Sequence, residues 1–130
     1  SMGGYIAASC APKLQPHGLV LLCPGAGMWF GCAQRADGIL QTGKDYAAGV
    51  LTINVPVGAQ LVAIACIATA KGVTKVINET AMNADVTSTF TKSTVSVEGA
   101  NGYAAKDYNV WVFEPAVAYG NAAVLKVTLG

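Results

Sequence analysis

Charged side chains are scarce in this sequence of 130 residues, where they make up 12% of the total, about half of the usual share in a globular domain. Eight basic and seven acidic residues nearly balance to a net charge of +1, and the lysines are scattered without a basic stripe. Nucleic acid is therefore not an expected partner. Because hydrophobic residues reach 53%, we expect part of the surface to be buried against neighbouring subunits.

Long hydrophobic runs are also lacking, and this excludes insertion into a membrane as a helix. The longest apolar run, residues 61–68, is far shorter than the ~20 residues that a spanning helix needs. Residues 1–2, Ser-Met, are typical of a scar left by tag removal. Residues 3–17 contain two prolines and are predicted to form an N-terminal arm or an edge strand. Residues 18–130 are predicted to form a single domain.

Histidine is nearly absent, and the four cysteines do not have the spacing of metal ligands, so we expect neither a metal site nor a cofactor. His17 has no catalytic cysteine motif near it, and the carboxylates are dispersed, which predicts a protein that is not an enzyme. Cys23 and Cys32 flank a predicted turn and could form a disulfide in an oxidising compartment. The alternative is that all four cysteines, Cys10, Cys23, Cys32 and Cys66, are small buried hydrophobic residues.

Short apolar segments separated by glycine, proline and asparagine predict β-strands throughout. Gly18–Cys23 and Met28–Cys32 are predicted to pair as a hairpin across the turn Pro24–Gly27. In 50–57 the apolar residues alternate with polar ones, which places Leu51, Ile53, Val55 and Val57 on one face of a half-buried strand.

Two later strands, 60–69 and 108–113, are apolar on both faces and are predicted to be buried on both sides. Strands are also predicted at 73–77 and 124–129, and a second hairpin at 86–98 with Val95 and Val97 facing inward. In total the sequence predicts about eight short strands, and these indicate an all-β fold. The expected architecture is an antiparallel β-sandwich, for which a jelly roll is one possible topology.

The stretch Gly18–Leu40 resembles a segment of small bacteriophage tail-fibre and tail-tip proteins, with matches at Gly18, Leu19, Gly27, Trp29, Phe30 and Arg35. It departs from that pattern at His17, where an aromatic residue is expected, and at Gly31-Cys32, where Asp-Ser is expected. The resemblance implies a component of a phage or prophage virion tail, assembled in the host cytoplasm. It also implies a homotrimer that contacts other tail proteins and acts in host attachment.

The tyrosines beside glycine, asparagine and aspartate are the candidate binding residues. Tyr46, Tyr103 and Tyr119 are predicted to be exposed, and the loops 99–107 and 116–122 are predicted to present them at one end of the sandwich to a host surface glycan or protein. Two alternatives stay open. A monomeric carbohydrate-binding module of a secreted bacterial protein predicts the Cys23–Cys32 bond and no self-association, whereas a purely structural virion subunit predicts oligomers that bind no glycan.

Overall fold

The computed structural model describes residues 29–35, 40–45, 49–99, 102 and 104–130. The tag scar, the arm at 3–17 and the run at 18–23 lie outside these residues. The strands of the described part are β1 (Trp29–Arg35), β2 (Leu40–Asp45), β3 (Val50–Val55), β4 (Ala59–Ile67), β5 (Val73–Asn78), β6 (Ala84–Asp85), β7 (Thr91–Val97), β8 (Lys106–Phe113) and β9 (Ala123–Leu129). Two single turns of 3-10 helix occur at Glu79–Ala81 and Thr87–Thr89. In the described ranges, no helix has the length and hydropathy needed to cross a bilayer.

The strands form two sheets packed face to face, which confirms the prediction of an all-β antiparallel sandwich. The five-stranded sheet has the order β2-β1-β4-β8-β7, and the four-stranded sheet has the order β3-β9-β5-β6. Each pair of neighbouring strands is antiparallel. Strands distant in sequence therefore meet, as in the pairing of β3 with β9.

The core lies between the two sheets and follows the alternation of apolar residues. In β3 the side chains of Leu51, Ile53 and Val55 are buried, as predicted, because they point away from the solvated outer side. Val57, which follows the strand, is exposed, so its predicted place on the same buried face is wrong. The remaining core residues are Ala33, Ala59, Val62, Ile64, Cys66, Val76, Trp111, Ala123, Leu125 and Val127.

Two glycines allow the sheets to approach closely at the β1–β2 side of the sandwich. A Cβ atom at Gly31 would lie 2.6 Å from Cδ1 of Ile53, and one at Gly43 would collide with the backbone oxygen of Thr52. These contacts join β1 and β2 of one sheet to β3 of the other. The hydrogen side chain is therefore what permits this spacing.

The predicted hairpin between Gly18–Cys23 and Met28–Cys32 is wrong. Strand β1 is paired with β2 along Trp29–Gln34 on one edge and with β4 along Phe30–Arg35 on the other. Because a strand has two edges, β1 has none left for an earlier segment. The residues at 24–27 favour a turn locally, but the strands that pair with β1 are determined by packing of the whole fold.

The predicted strand at 86–90 is also wrong, because this segment contains a 3-10 turn at Thr87–Thr89. The carboxylate of Asp85 accepts hydrogen bonds from the backbone N–H of Thr87 at 3.0 Å and from its hydroxyl at 2.6 Å. This local bonding stabilises the turn in place of a strand. The strand that follows, β7, pairs with β8 along its whole length.

Candidate functional site

The outer faces of the two sheets differ in polarity, and this difference defines the candidate site. On the four-stranded sheet, four of the six outward positions of β3 and β9 are polar; the six are Val50, Thr52, Asn54, Val124, Lys126 and Thr128. The Nζ of Lys126 donates a hydrogen bond of 2.9 Å to the hydroxyl of Thr52. This outer face is suited to solvent.

The five-stranded sheet has an outer face that is apolar in its central part and bordered by the polar residues Gln34, Thr91, Ser93 and Lys106. In an antiparallel pair, directly opposed residues lie on the same face, so the register identifies its members. Ala63, Ala65 and Ile67 of β4 oppose Val112, Val110 and Tyr108 of β8, while Ile64 opposes the buried Trp111 on the inner side. We call the following residues the apolar outer face: Phe30, Cys32, Leu61, Ala63, Ala65, Ile67, Val95, Val97, Tyr108, Val110 and Val112.

A groove of about 220 Å³ lies in the apolar outer face. Its walls include two aromatic rings and several aliphatic side chains, from Phe30, Ala65, Val95, Val97, Tyr108 and Val110. Val95 is 47% exposed here, although it is a large aliphatic residue. An exposed apolar groove of this kind is typical of a surface that binds another molecule.

Val95 and Val97 point to the outside, so the prediction that they face inward is wrong. They oppose Tyr108 and Lys106, whereas the inner positions of β7 are polar. There the hydroxyl of Thr94 donates to Oδ1 of Asn109 at 3.1 Å, and that of Ser96 donates to the carboxylate of Asp107 at 2.6 Å. The opposite sheet ends in β6, a strand of two residues. The inner side of β7 is thus open to water, which favours polar residues.

The two described cysteines carry free thiols. Burial raises the pKa of the Cys66 thiol to about 11, and a nearby positive charge on Lys92 offsets this only in part. Burial also raises the pKa of the Cys32 thiol, against a hydrogen bond with the Ala63 backbone. A disulfide between Cys32 and Cys23 is not formed, and the hairpin that would have placed them opposite each other is absent from β1. Cys10, Cys23 and His17 lie outside the described residues.

Of the three candidate tyrosines, Tyr46 and Tyr103 lie outside the described residues. The ring of Tyr119 is half-buried, stands edge-on to Phe113 at 6.4 Å between centroids, and packs against the core. Burial raises the pKa of its hydroxyl. Its backbone also accepts a hydrogen bond from Gly58 at 2.7 Å and donates one to Ala59 at 3.0 Å. Tyr119 therefore holds the loop 114–122 to the turn between β3 and β4, and its ring is less exposed than predicted.

The loops 99–107 and 116–122 do not share one end of the sandwich, contrary to prediction. Strand β8 begins at Lys106 and ends at Phe113, so it separates the described part of the first loop from the second by its full length. Eight residues of extended strand span roughly 25 Å. A single ligand of ordinary size cannot reach both loops.

Tyr119 lies at the end of the sandwich where the turn 56–58 and the 3-10 turn Glu79–Ala81 also lie. The backbone N–H of Val124, next to Ala123 at the start of β9, donates to the hydroxyl of Thr80 at 2.9 Å. Two side chains at this end are strongly exposed: Met82 at 96% and Val117 at 81%. Sequence reasoning missed Met82, although a single large apolar residue in the polar segment 78–85 is a detectable signal.

Charged and metal-binding groups are not gathered at either surface in the part of the chain that the structure describes. No set of three histidine, cysteine or carboxylate side chains lies close enough there to hold a metal ion. The ammonium group of Lys92 lies 5.6 Å from the ring centroid of Trp111, on the inner side of the five-stranded sheet. These surfaces are therefore suited to apolar contacts, both at the groove and at the end of the sandwich that exposes Met82 and Val117.

Comparison with known proteins adds no relative from which a function could be transferred. No protein-family model, curated protein or solved structure matches this chain. The candidate site consists of the apolar outer face with its groove, together with the loop end that exposes Met82 and Val117.

Proposed function

We propose that this chain is a non-enzymatic tail-fibre or tail-tip domain of a phage or prophage, acting in host-surface recognition as a homo-oligomer, with a trimer as the expected state. The observation that supports it best is the apolar outer face. Strands lie about 4.8 Å apart and rise about 3.3 Å per residue, so the part of this face on β1, β4, β8 and β7 covers roughly 400 Å² in projection. The largest apolar patch of a typical monomer is about 300–600 Å² and is often functional, so this face is a candidate binding surface.

The low charge of the chain supports the same proposal. A stable interface buries about 800 Å² per partner, and the apolar outer face with its border supplies a large part of that area. In a virion tail the remaining surface would contact other tail proteins and a glycan or protein of the host. Repeated copies would raise a weak affinity for the host surface through avidity.

The solution mass tests the oligomer directly. For a chain of 13.2 kDa, size exclusion with light scattering is expected to give about 40 kDa for a trimer. Val95→Asp places a carboxylate on the apolar outer face and is expected to yield monomers, because burying an unpaired charge in an interface is strongly unfavourable. Val50→Asp is the matched control, since Val50 is also a strand valine at 47% exposure but lies on the four-stranded sheet.

Three results would count against the proposal or redefine it. A wild-type chain that stays monomeric when concentrated would remove its physical basis and favour a monomeric binding module. Equal effects of Val95→Asp and Val50→Asp would show that the apolar outer face is not the interface. An oligomer that binds no sugar on a glycan array and does not adsorb to host cells would be a structural virion subunit instead.

A further inference from the structure

The turn at Glu79–Asn83 is held firmly by the body of the protein. The backbone N–H of Ala81 donates to the side-chain oxygen of Asn78 at 3.1 Å, which caps the 3-10 turn. The hydroxyl of Thr80 accepts the hydrogen bond from Val124 of β9. Met82, which follows the 3-10 turn Glu79–Ala81, is thus presented from a fixed backbone.

Met82 gains almost nothing from the fold of its own chain. Its side chain is 96% exposed, and its backbone has φ of 58° in the left-handed region. That conformation is unfavourable for a residue with a Cβ atom, and glycine is the usual occupant. Asn83 shares this conformation with φ of 56°, but asparagine tolerates it better. Met82 is the C-cap of the 3-10 turn Glu79–Ala81, a position where the left-handed conformation is common, so the turn accounts for its backbone angle. Its exposed side chain is left available for a contact outside the chain.

The groove of the apolar outer face matches a methionine side chain. It has a volume of about 220 Å³, enough for one long unbranched side chain, and its walls are apolar. Phe30 and Tyr108 line it, and aromatic rings make favourable contacts with a thioether sulfur. A second pocket, of about 290 Å³, lies at the end of the four-stranded sheet where β9 begins, and it is lined by Asn54, Val55, Pro56, Ala122, Ala123 and Val124. These residues include no aromatic ring that a thioether sulfur could contact, so the groove is the better match for methionine.

The positions of the two features require a second molecule. Met82 follows β5 of the four-stranded sheet at the end where β9 begins. The groove lies on the outside of the five-stranded sheet, toward the start of β8. A chain therefore cannot fill its own groove with its own Met82.

We propose that Met82 of one copy inserts into the groove of the next copy, between Phe30 and Tyr108. This inference rests on the proposed homo-oligomer and names the two complementary surfaces that build it. Such a contact joins two different patches, so it is heterologous, and it closes into a ring such as a trimer when the rotation between copies is right.

The first test compares the self-association of two variants of the full chain. Met82→Ser is expected to weaken association roughly tenfold or more, because it removes the buried anchor of the contact. Val117→Ser is the matched control, since Val117 is 81% exposed at the same end of the sandwich. It is expected to leave the oligomer unchanged. Sedimentation velocity over a range of protein concentrations measures both.

The second test locates the contact. Benzoylphenylalanine placed at residue 82 is expected to cross-link, under ultraviolet light, to peptides from 29–35, 59–67, 91–97 or 106–113 of another copy, because these strands line the groove. The same group at residue 117 serves as the control and is expected not to label those peptides. Cross-links from residue 82 to other segments would overturn the inference.

The outcomes separate this inference from the proposed function. If the wild-type chain is monomeric at every concentration, both fail. If the wild type forms an oligomer that Val95→Asp dissociates and Met82→Ser does not, the homo-oligomer stands and the role of Met82 is refuted. If Met82→Ser and Val95→Asp both dissociate it and Val117→Ser does not, the inference is supported.

Discussion

Gly31 offers a sharp test of how the two sheets pack, because the atom that would collide with a larger side chain can itself be removed. A methyl group at this position would lie 2.6 Å from Cδ1 and 2.9 Å from Cγ1 of Ile53, and 3.1 Å from a methyl group of Leu51. Carbon atoms in favourable contact are about 3.5–4.0 Å apart. Gly31→Ala is therefore expected to destabilise the fold by about 1–3 kcal/mol through overpacking.

Ile53→Val removes the Cδ1 atom that is nearest to the added methyl group. Alone it is expected to cost about 0.5–1.5 kcal/mol, because Ile53 is fully buried and loses a methyl group from the core. In the double variant the methyl group at residue 31 occupies part of the space left by Cδ1. The rescue is partial, since Cγ1 remains at 2.9 Å. We expect the double variant to be about 1 kcal/mol more stable than the sum of the single effects predicts.

Equilibrium urea unfolding of the four proteins measures this coupling through the midpoint and slope of each transition. The slopes are expected to agree, so that the midpoints report stability. Gly31→Ala combined with Val76→Ala is the control, because Val76 lies on β5, which β9 separates from β3. That pair is expected to be additive. Additivity within about 0.3 kcal/mol for Gly31→Ala and Ile53→Val would refute close packing of Gly31 against the side chain of Ile53.

Three further results are expected. Burial raises the pKa of the Cys66 thiol from 9.0 to about 11. The stability that the neutral thiol contributes is therefore complete below pH 9.0 and is lost as the pH rises toward 11. In urea unfolding at a series of pH values, the stability of Cys66→Val should fall less steeply above pH 9.0 than that of the wild type. The hydroxyl and backbone N–H of Thr87 lower the pKa of the Asp85 carboxyl below 3.8. The contribution of Asp85 to stability is therefore present above pH 3.8 and is lost as the pH falls through the folded-state pKa. Thr87→Ala should return that pKa toward 3.8, as measured by NMR of the carboxyl group. Met82→Gly should raise the stability of the monomeric Val95→Asp protein by about 0.5–1 kcal/mol in urea, and an unchanged or lower midpoint would contradict the strain at residue 82.

The strand pattern and the class of fold were predictable because they depend on local alternation. In β3 and β9 every second residue is a buried aliphatic one, and Leu51, Ile53, Leu125 and Val127 could be placed in the core from the sequence. The apolar segments at 60–69 and 108–113 form β4 and β8 of the five-stranded sheet, but the prediction that these strands are buried on both sides is wrong, because their outward residues are only half-buried.

Partners distant in sequence could not be predicted from such patterns. The signals at Pro24–Gly27 favour a hairpin, but the edges of β1 are taken by β2 and by β4, which lies about thirty residues further along the chain. The prediction that the side chain of Val95 points inward was wrong for a related reason. Alternation shows that two faces differ, and only the position of β7 beside a short opposite sheet decides which face meets water.

The candidate site was predictable only in outline. Low charge and two-faced apolar strands indicated that a surface would be covered by a partner, and the apolar outer face agrees with that pattern. Tyr119 was expected to be open because it adjoins a glycine, but Phe113 and the backbone of 58–59 hold it against the body. The left-handed backbone at Met82 depends on the capped turn before it, and sequence patterns do not give such angles for methionine.

The central place of β9 in the four-stranded sheet constrains when this protein can fold during its synthesis. β9 pairs with β3 on one side and with β5 on the other. Val50 of β3 pairs with Thr128, 78 positions later, so β3 has no hydrogen-bonded neighbour in its sheet until β9 has been synthesised. Until Leu125 and Val127 leave the ribosome, the core between the two sheets lacks the buried side chains of β9. The nascent chain is therefore expected to be aggregation-prone and to complete its core only after residue 129 emerges, in milliseconds to seconds, as is usual for sandwiches built from distant strands.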